Sequence, residues 1–190
     1  FGDQYIARNM SEQLLASNLH FFSNIFQGME PVKNLIEFGA NIGMNLRAIK
    51  KLLPSTELAG IEINEKAYHE LISIENLKGY HTSILNFQTD YQREFVFIKG
   101  VLIHISPDEL RNVYQKMYEC SSKYICIAEY YNPFPMELNY RGHEGKLFKR
   151  DFAGEMMNQF TDLSLVKYGF AYHKDNNFPQ DDITWFLLKK

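Results

Sequence analysis

The chain has 190 residues, a formal net charge of −3, a sequence pI near 6.1 and a hydrophobic fraction of 45%. This length suits one well-buried domain and is short for two, and the acidic balance argues against a nucleic-acid binder, which usually carries a basic face. The two cysteines, Cys120 and Cys126, form no C-x-x-C pair, which argues against a disulfide framework and against a zinc site.

The sequence also lacks the signals of membrane insertion and export. No stretch approaches the roughly 18 apolar residues of a membrane span, and no signal peptide precedes the chain. We therefore expect a cytoplasmic protein without a membrane partner. The chain begins at Phe1 and not at a methionine, so we expect some N-terminal sequence to be missing.

The first predicted element is an amphipathic helix within an N-terminal segment of residues 1–30. Asn9 and Glu12 have the spacing of a capping box at its start, and Gly28 marks its end. Between them, apolar residues recur at helical spacing at Leu15, Leu19, Phe22 and Phe26.

From Lys33 onward, apolar runs typical of strands alternate with helical patterns. Seven strands are predicted over residues 34–38, 57–63, 80–84, 94–98, 124–129, 163–168 and 183–188, and helices are predicted to begin after Asn64, Ser106 and Asp151. Such alternation predicts an α/β domain with a mostly parallel sheet covered on both faces. Residues 174–182 have no apolar period and form a predicted loop, so we expect the last strand to run antiparallel to its neighbour.

The stretch Glu37-Phe38-Gly39-Ala40-Asn41-Ile42-Gly43 joins the first predicted strand to a helix. Glycine has no Cβ and tolerates positive φ, so the backbone at Gly39 and Gly43 can approach a ligand closely. The helix that follows directs its unpaired N–H groups toward the same space. A nicotinamide fingerprint needs a third glycine that this stretch lacks, and the chain has no P-loop motif.

This stretch resembles the first motif of class I S-adenosylmethionine-dependent methyltransferases, acid-x-G-x-G-x-G, with Asn41 in place of the middle glycine. The resemblance implies a Rossmann-like three-layer sandwich with a seven-stranded sheet, and S-adenosylmethionine as cofactor. It implies that Glu62, at the end of the second strand, accepts hydrogen bonds from both ribose hydroxyls, a role that suits a carboxylate. The cofactor-binding residues that it implies are Tyr5, Arg8, Asn9, Glu37, Gly39, Ala40, Asn41, Gly43, Glu62, Ile63, Ser83, Ile84, Lys99 and Val101.

A substrate loop is predicted over residues 130–151, after the fifth strand. Clustered cations in this loop indicate an anionic ligand such as a phosphate or carboxylate, although a solvated basic loop is the simpler alternative. The candidate substrate residues are Tyr131, Tyr140, Arg141, Lys146, Lys149 and Arg150. The candidate bases or positioning residues are His104, Glu129, Tyr130 and His143.

Residues 1–9 and 140–155 resemble the methylases associated with bacterial pseudaminic acid biosynthesis clusters. This resemblance implies a nonulosonic acid or nucleotide sugar as the methyl acceptor, and leaves the acceptor atom open. The amino-methyltransferase tetrad [DN]-P-P-[YF] is replaced by Lys99-Gly100-Val101-Leu102, which argues against nucleic-acid bases as acceptors.

Several alternatives stay open at this point. Glu37 and Glu62 are also compatible with simple polar strand ends, and His104 with a structural histidine. The whole chain is compatible with a non-catalytic methyltransferase-like binding domain, or with a methyltransferase for another small molecule. A nicotinamide oxidoreductase is disfavoured by the missing glycine.

Overall fold

The computed structural model describes residues 11–140 and 143–190, and within residues 138–147 it describes the backbone of two strands without their side chains. The helices are α1 (Glu12–Phe26), α2 (Met44–Leu52), α3 (Glu65–Leu71), α4 (Pro107–Cys120) and α5 (Phe152–Gln159), with a short 3₁₀ turn at Leu102–His104. The strands are β1 (Asn34–Phe38), β2 (Glu57–Glu62), β3 (Leu77–His81), β4 (Arg93–Lys99), β5 (Ser121–Glu129), β6 (Met136–Tyr140), β7 (His143–Lys149), β8 (Ser164–Ala171) and β9 (Ile183–Lys189).

Seven of these strands form one sheet in the order β3-β2-β1-β4-β5-β9-β8. The pairs β1–β2, β2–β3 and β4–β5 are parallel, whereas β9 runs antiparallel to β5. The predicted mostly parallel seven-stranded sheet with an antiparallel last strand is therefore confirmed. None of the helices in the described ranges is long and apolar enough to cross a membrane.

The described chain divides into two compact units. The first comprises residues 11–87 and 171–181, with β1, β2, β3 and helices α1, α2 and α3. In this unit α1 is tied to the segment 171–181: Gln180 donates to Asn18 Oδ1 at 2.8 Å, and the ring of His20 stacks on Phe178 at 4.4 Å. The single domain over residues 1–190 stays a prediction.

The second unit comprises residues 88–170 and 182–190. Its core joins the buried strands β4, β5 and β9 to the apolar face of α4, at Leu110, Val113 and Met117. The rings of Tyr118 on α4 and Phe160 after α5 stack with centroids 3.9 Å apart. These contacts fix both helices of the unit.

Three predicted helix starts can be compared with the caps in the structure. The side chains of Asn64 and Asp151 accept hydrogen bonds from the first turns of α3 and α5, as expected. The Ser106 side chain makes no capping hydrogen bond, and Pro107 occupies the first position of α4. Ser11 caps α1 by accepting from Leu14 N at 3.0 Å, whereas Asn9 of the predicted capping box lies outside the described residues.

Two other segments differ from the sequence prediction. The third strand lies at Leu77–His81 and not at residues 80–84, because pairing Glu62 with His81 sets its register on β2. Residues 83–87 form a turn instead, in which Ser83 O accepts from Phe87 N at 3.0 Å. The predicted loop over 130–151 contains the antiparallel hairpin β6–β7.

Candidate functional site

The turn after β1 is built on backbone conformations that few residues adopt. Gly39 and Gly43 both have a φ of 79°, and Asn41 has a φ of 48°, in the left-handed region where asparagine is tolerated. Gly39 N and Ala40 N both donate to Ile61 O on β2, at 3.0 and 2.8 Å. The turn is therefore anchored to the neighbouring strand.

Close packing within the protein also requires the glycine at position 43. A Cβ on Gly43 would lie 2.5 Å from Ile74 Cδ1 and 2.8 Å from Leu71 Cδ1. A Cβ on Gly60 of β2 would lie 2.9 Å from Ala40 Cβ. The sequence motif thus combines a turn requirement with a tight contact between the turn, β2 and α3.

Glu62, at the end of β2, links this turn to the next helix. Its Oε2 accepts from Asn41 N at 2.8 Å and its Oε1 accepts from Asn64 N at 2.7 Å, while 9% of the residue is exposed. A carboxylate oxygen has two lone pairs, so each oxygen keeps the capacity to accept one more hydrogen bond. The adjacent Ile63 is 67% exposed, an unusual position for a large apolar side chain.

Glu37 is fully buried within β1. Its Oε1 accepts from Asn45 Nδ2 of α2 at 2.6 Å, which ties the strand to the first turn of the helix. The sequence analysis missed Asn45, although its place just after Gly43 in the motif was a usable signal. Farther along the chain, Ser83 Oγ accepts from Leu85 N at 3.2 Å and Ile84 is buried.

A second turn follows β4 in the other unit. Gly100 has a φ of 67° and donates from its N–H to Ala128 O on β5 at 3.0 Å. Val101 N and Leu102 N both donate to Glu129 Oε1 at 2.8 Å. The 3₁₀ turn at Leu102–His104 comes next and ends with the exposed side chain of His104.

Glu129 lies at the end of β5 and is 2% exposed. Its Oε2 is buried too, and makes no hydrogen bond with any part of the chain that the structure describes. Burial raises the pKa of this carboxyl to about 7, against the lowering effects of the Val101, Leu102 and Ile103 amides and of the Lys99 charge. Lys99, a predicted cofactor residue, therefore acts on Glu129 electrostatically.

The described candidates of the substrate segment take part in contacts within the second unit. Lys149 Nζ lies 5.1 Å from the centroid of the Tyr130 ring. The ring of Tyr131 lies 5.7 Å from that of Phe186 on β9. Arg150 Nε donates to Glu155 Oε1 at 2.6 Å.

Tyr114 completes the contact that holds Arg150. Its hydroxyl donates to Glu155 Oε2 at 2.9 Å, and burial raises the pKa of Tyr114 above its usual range. Sequence analysis missed this arrangement, because Tyr114 and Glu155 are 41 residues apart in the chain.

Seven of the predicted site residues have side chains outside the described part of the chain. Tyr5, Arg8, Asn9 and Arg141 lie outside the described residues. Tyr140, His143 and Lys146 lie on the hairpin strands, and their side chains are outside the described part of the chain. Among the described residues no group of three or more His, Cys, Asp or Glu side chains could hold a metal ion.

Comparison with known proteins identifies the fold. Neither a protein-family model nor a curated protein sequence matches the chain. Among solved structures, a SAM-dependent methyltransferase from Leishmania major is 12% identical with a TM-score of 0.76, covering 97% of this chain and 76% of that one. The chain has the class I methyltransferase fold.

Two further structures with this methyltransferase fold were solved with S-adenosylhomocysteine (SAH). The 1,6-didemethyltoxoflavin-N1-methyltransferase of Burkholderia thailandensis is 10% identical with a TM-score of 0.72, covering 99% of this chain and 82% of that one. The plantazolicin methyltransferase BpumL is 14% identical with a TM-score of 0.65, covering 99% and 88%. At these identities the likeness is one of fold, and the resemblance to the pseudaminic acid-associated methylases stays a prediction.

Proposed function

We propose that this chain transfers the methyl group of S-adenosylmethionine to a small acceptor. The observation that carries the proposal is Glu62, whose carboxylate ends β2, holds the turn after β1, and keeps acceptor capacity on both oxygens. This is the arrangement that a ribose diol needs, since two adjacent hydroxyls can donate to one carboxylate.

The other residues of the first unit fit the same cofactor. The positive φ values of Gly39 and Asn41 shape the turn beside Glu62, and Asn45 holds the Glu37 carboxylate in place. The exposed side chain of Ile63 offers an apolar surface for an adenine ring. When bound, the cofactor would supply an electrophilic methyl group on a sulfonium.

The chain's own part in such a reaction is to hold the two reactants in line and to accept a proton where the acceptor loses one. His104 suits the proton-accepting role, because its ring is exposed at the turn after β4, whereas Glu129 is buried. Tyr130, beside Lys149, suits positioning of the acceptor. His143 is a further candidate base from the sequence.

For the acceptor we propose a nonulosonic acid or nucleotide sugar. Support comes from the sequence resemblance over residues 140–155 and from the cations of the substrate segment, which suit an anionic group. The proteins of similar fold named above are, by their names, methyltransferases of 1,6-didemethyltoxoflavin and of plantazolicin. The proposed compartment is the cytoplasm, which the free Cys120 and Cys126 suit.

Calorimetry with SAH tests the cofactor proposal. We expect one binding site on the wild-type protein and a loss of at least about tenfold in affinity for Glu62→Ala, which removes a charged hydrogen-bond acceptor. Glu57→Ala is the matched control, since Glu57 is an exposed acid at the opposite end of the same strand. Thermal unfolding of each variant separates lost binding from lost fold, and a wild-type protein that does not bind SAH overturns the proposal.

Mass spectrometry tests the acceptor. A panel of nonulosonic acids, nucleotide sugars and heteroaromatic amines is incubated with the protein and labelled S-adenosylmethionine. A gain of one labelled methyl on a sugar acid or nucleotide sugar is the expected result. Methylation of the heteroaromatic amines alone contradicts the sugar acceptor and leaves the methyltransferase proposal intact.

A further inference from the structure

Resting on the proposed function, we infer that Glu129 is a positioning residue that fixes the turn after β4, and that it exchanges no proton with the acceptor. Hydrogen bonds between the end of β5 and the turn after β4 support this role of Glu129.

Amide groups from the turn converge on this carboxylate. Val101 N and Leu102 N both donate to Oε1 at 2.8 Å, and the Ile103 amide is a third backbone partner. Consecutive N–H groups that meet at one charged acceptor hold the backbone in a single conformation. His104 directly follows these three residues in the chain. The bonds to Glu129 therefore also fix the position of the backbone that carries the His104 ring.

Burial argues against a direct catalytic role for Glu129. The residue is 2% exposed, and its second oxygen, Oε2, is buried as well. A general base must come within hydrogen-bond reach of the proton that it removes. With Oε1 occupied by the amides and Oε2 enclosed by protein, neither oxygen meets that condition.

The protonation state of Glu129 changes within the neutral pH range, because its pKa is raised to about 7. Lys99 on β4 favours the charged form of Glu129, and the charge of Glu129 in turn raises the pKa of Tyr114 on α4, whose hydroxyl donates to Glu155. A neutral carboxyl is a weaker acceptor than a carboxylate. The turn is therefore held more loosely below pH 7 than above it.

Glu129→Gln tests this inference, since glutamine keeps the shape and one carbonyl oxygen but carries no charge. In ¹⁵N NMR spectra between pH 5.5 and 8.5, we expect the Val101 and Leu102 amide shifts of the wild type to follow one titration near pH 7. Those shifts should stay flat in Glu129→Gln and should titrate normally in Glu109→Gln, an exposed acid on the first turn of α4.

Kinetics supply the second measurement. We expect kcat of Glu129→Gln to lie about tenfold below the alkaline limb of the wild type, as for one weakened charged hydrogen bond, and to lack the part of the pH dependence that Glu129 contributes. KM for S-adenosylmethionine should change less than kcat. A loss above about a thousandfold with unchanged amide shifts indicates a base and overturns the inference.

The wild-type titration alone also decides the question if the variant fails to fold. Amide shifts of Val101 and Leu102 that do not titrate near neutral pH contradict the inference. These shifts need no cofactor or substrate, whereas failure of the proposed function shows as absent SAH binding in calorimetry. The two failures are therefore distinguishable.

Discussion

The turn after β1 and the turn after β4 are built by the same device in two different units. Each begins at a glycine with positive φ, Gly39 or Gly100, whose N–H donates to a carbonyl of the neighbouring strand. Each is then held by a carboxylate at the end of that neighbouring strand, Glu62 on β2 for the first and Glu129 on β5 for the second.

The two carboxylates differ in what remains available on them. Glu62 gives one oxygen to the turn and one to the cap of α3, and it keeps some exposure. Glu129 gives one oxygen to several amides and encloses the other. The same architectural element thus leaves the carboxylate partly exposed in the first turn and encloses it in the second.

The largest expected effect comes from adding a methyl group to each turn. Gly43→Ala places Cβ against Leu71 and Ile74 at positive φ, and should lower the free energy of unfolding by roughly 2–5 kcal/mol. Gly100→Ala meets nothing within 4 Å and carries the backbone penalty alone, roughly 1–2 kcal/mol. Urea unfolding measures the loss in unfolding free energy for both variants. Equal losses would contradict the claim that only the first turn is closely packed around its glycine.

The next effect is the pH dependence of stability that Glu129 contributes. Its pKa rises from 4.5 to about 7 on folding, so the folded state binds the extra proton and this group's stabilisation is lost as pH rises through 7. Between about pH 5 and pH 8 the loss should be roughly 2–3 kcal/mol. The difference in unfolding free energy between wild type and Glu129→Gln, measured across this pH range, isolates the contribution of Glu129. A difference that does not change with pH would refute this prediction.

The smallest effect concerns the asparagine that stands where the motif usually has glycine. Asn41→Ala loses the Oδ1 bond to Ile42 N at 2.8 Å and places alanine at a φ of 48°, for a cost of roughly 1–2 kcal/mol. Asn41→Gly loses the bond but relieves the backbone, so its net change should stay within about 0.5 kcal/mol. Thermal unfolding of the two variants checks this prediction. If Asn41→Gly is as unstable as Asn41→Ala, the lost side-chain hydrogen bond matters more than the backbone strain.

Local patterns allowed part of this molecule to be predicted from sequence. The bounds of β1 follow from its apolar run, and the caps at Asn64 and Asp151 follow from the residue type that starts a helix. The alternation of strands and helices along the chain was enough to predict a mostly parallel sheet. The left-handed backbone at Asn41 also follows from the motif.

Other features depend on distant partners and could not be read locally. The register of β3 is set by its pairing with β2, so the strand lies at Leu77–His81 and begins before the predicted run at residues 80–84. The hairpin β6–β7 carries no clean alternation of apolar residues. Glu129 was singled out as a candidate base, but its burial and its bonds to residues 27 and 28 positions away leave no trace in the local sequence.

The place of β9 in the sheet has a consequence for how this protein folds. β8 precedes β9 in the chain, yet β9 lies between β8 and β5, so β8 can join the sheet only after β9 has paired. That pairing joins Glu129 to Thr184 across more than fifty residues, a contact that raises the loop-closure cost of folding. A nascent chain that has not yet reached Ile183 therefore presents the unpaired edge of β5 to its surroundings, and a chaperone that covers strand edges would act at this stage.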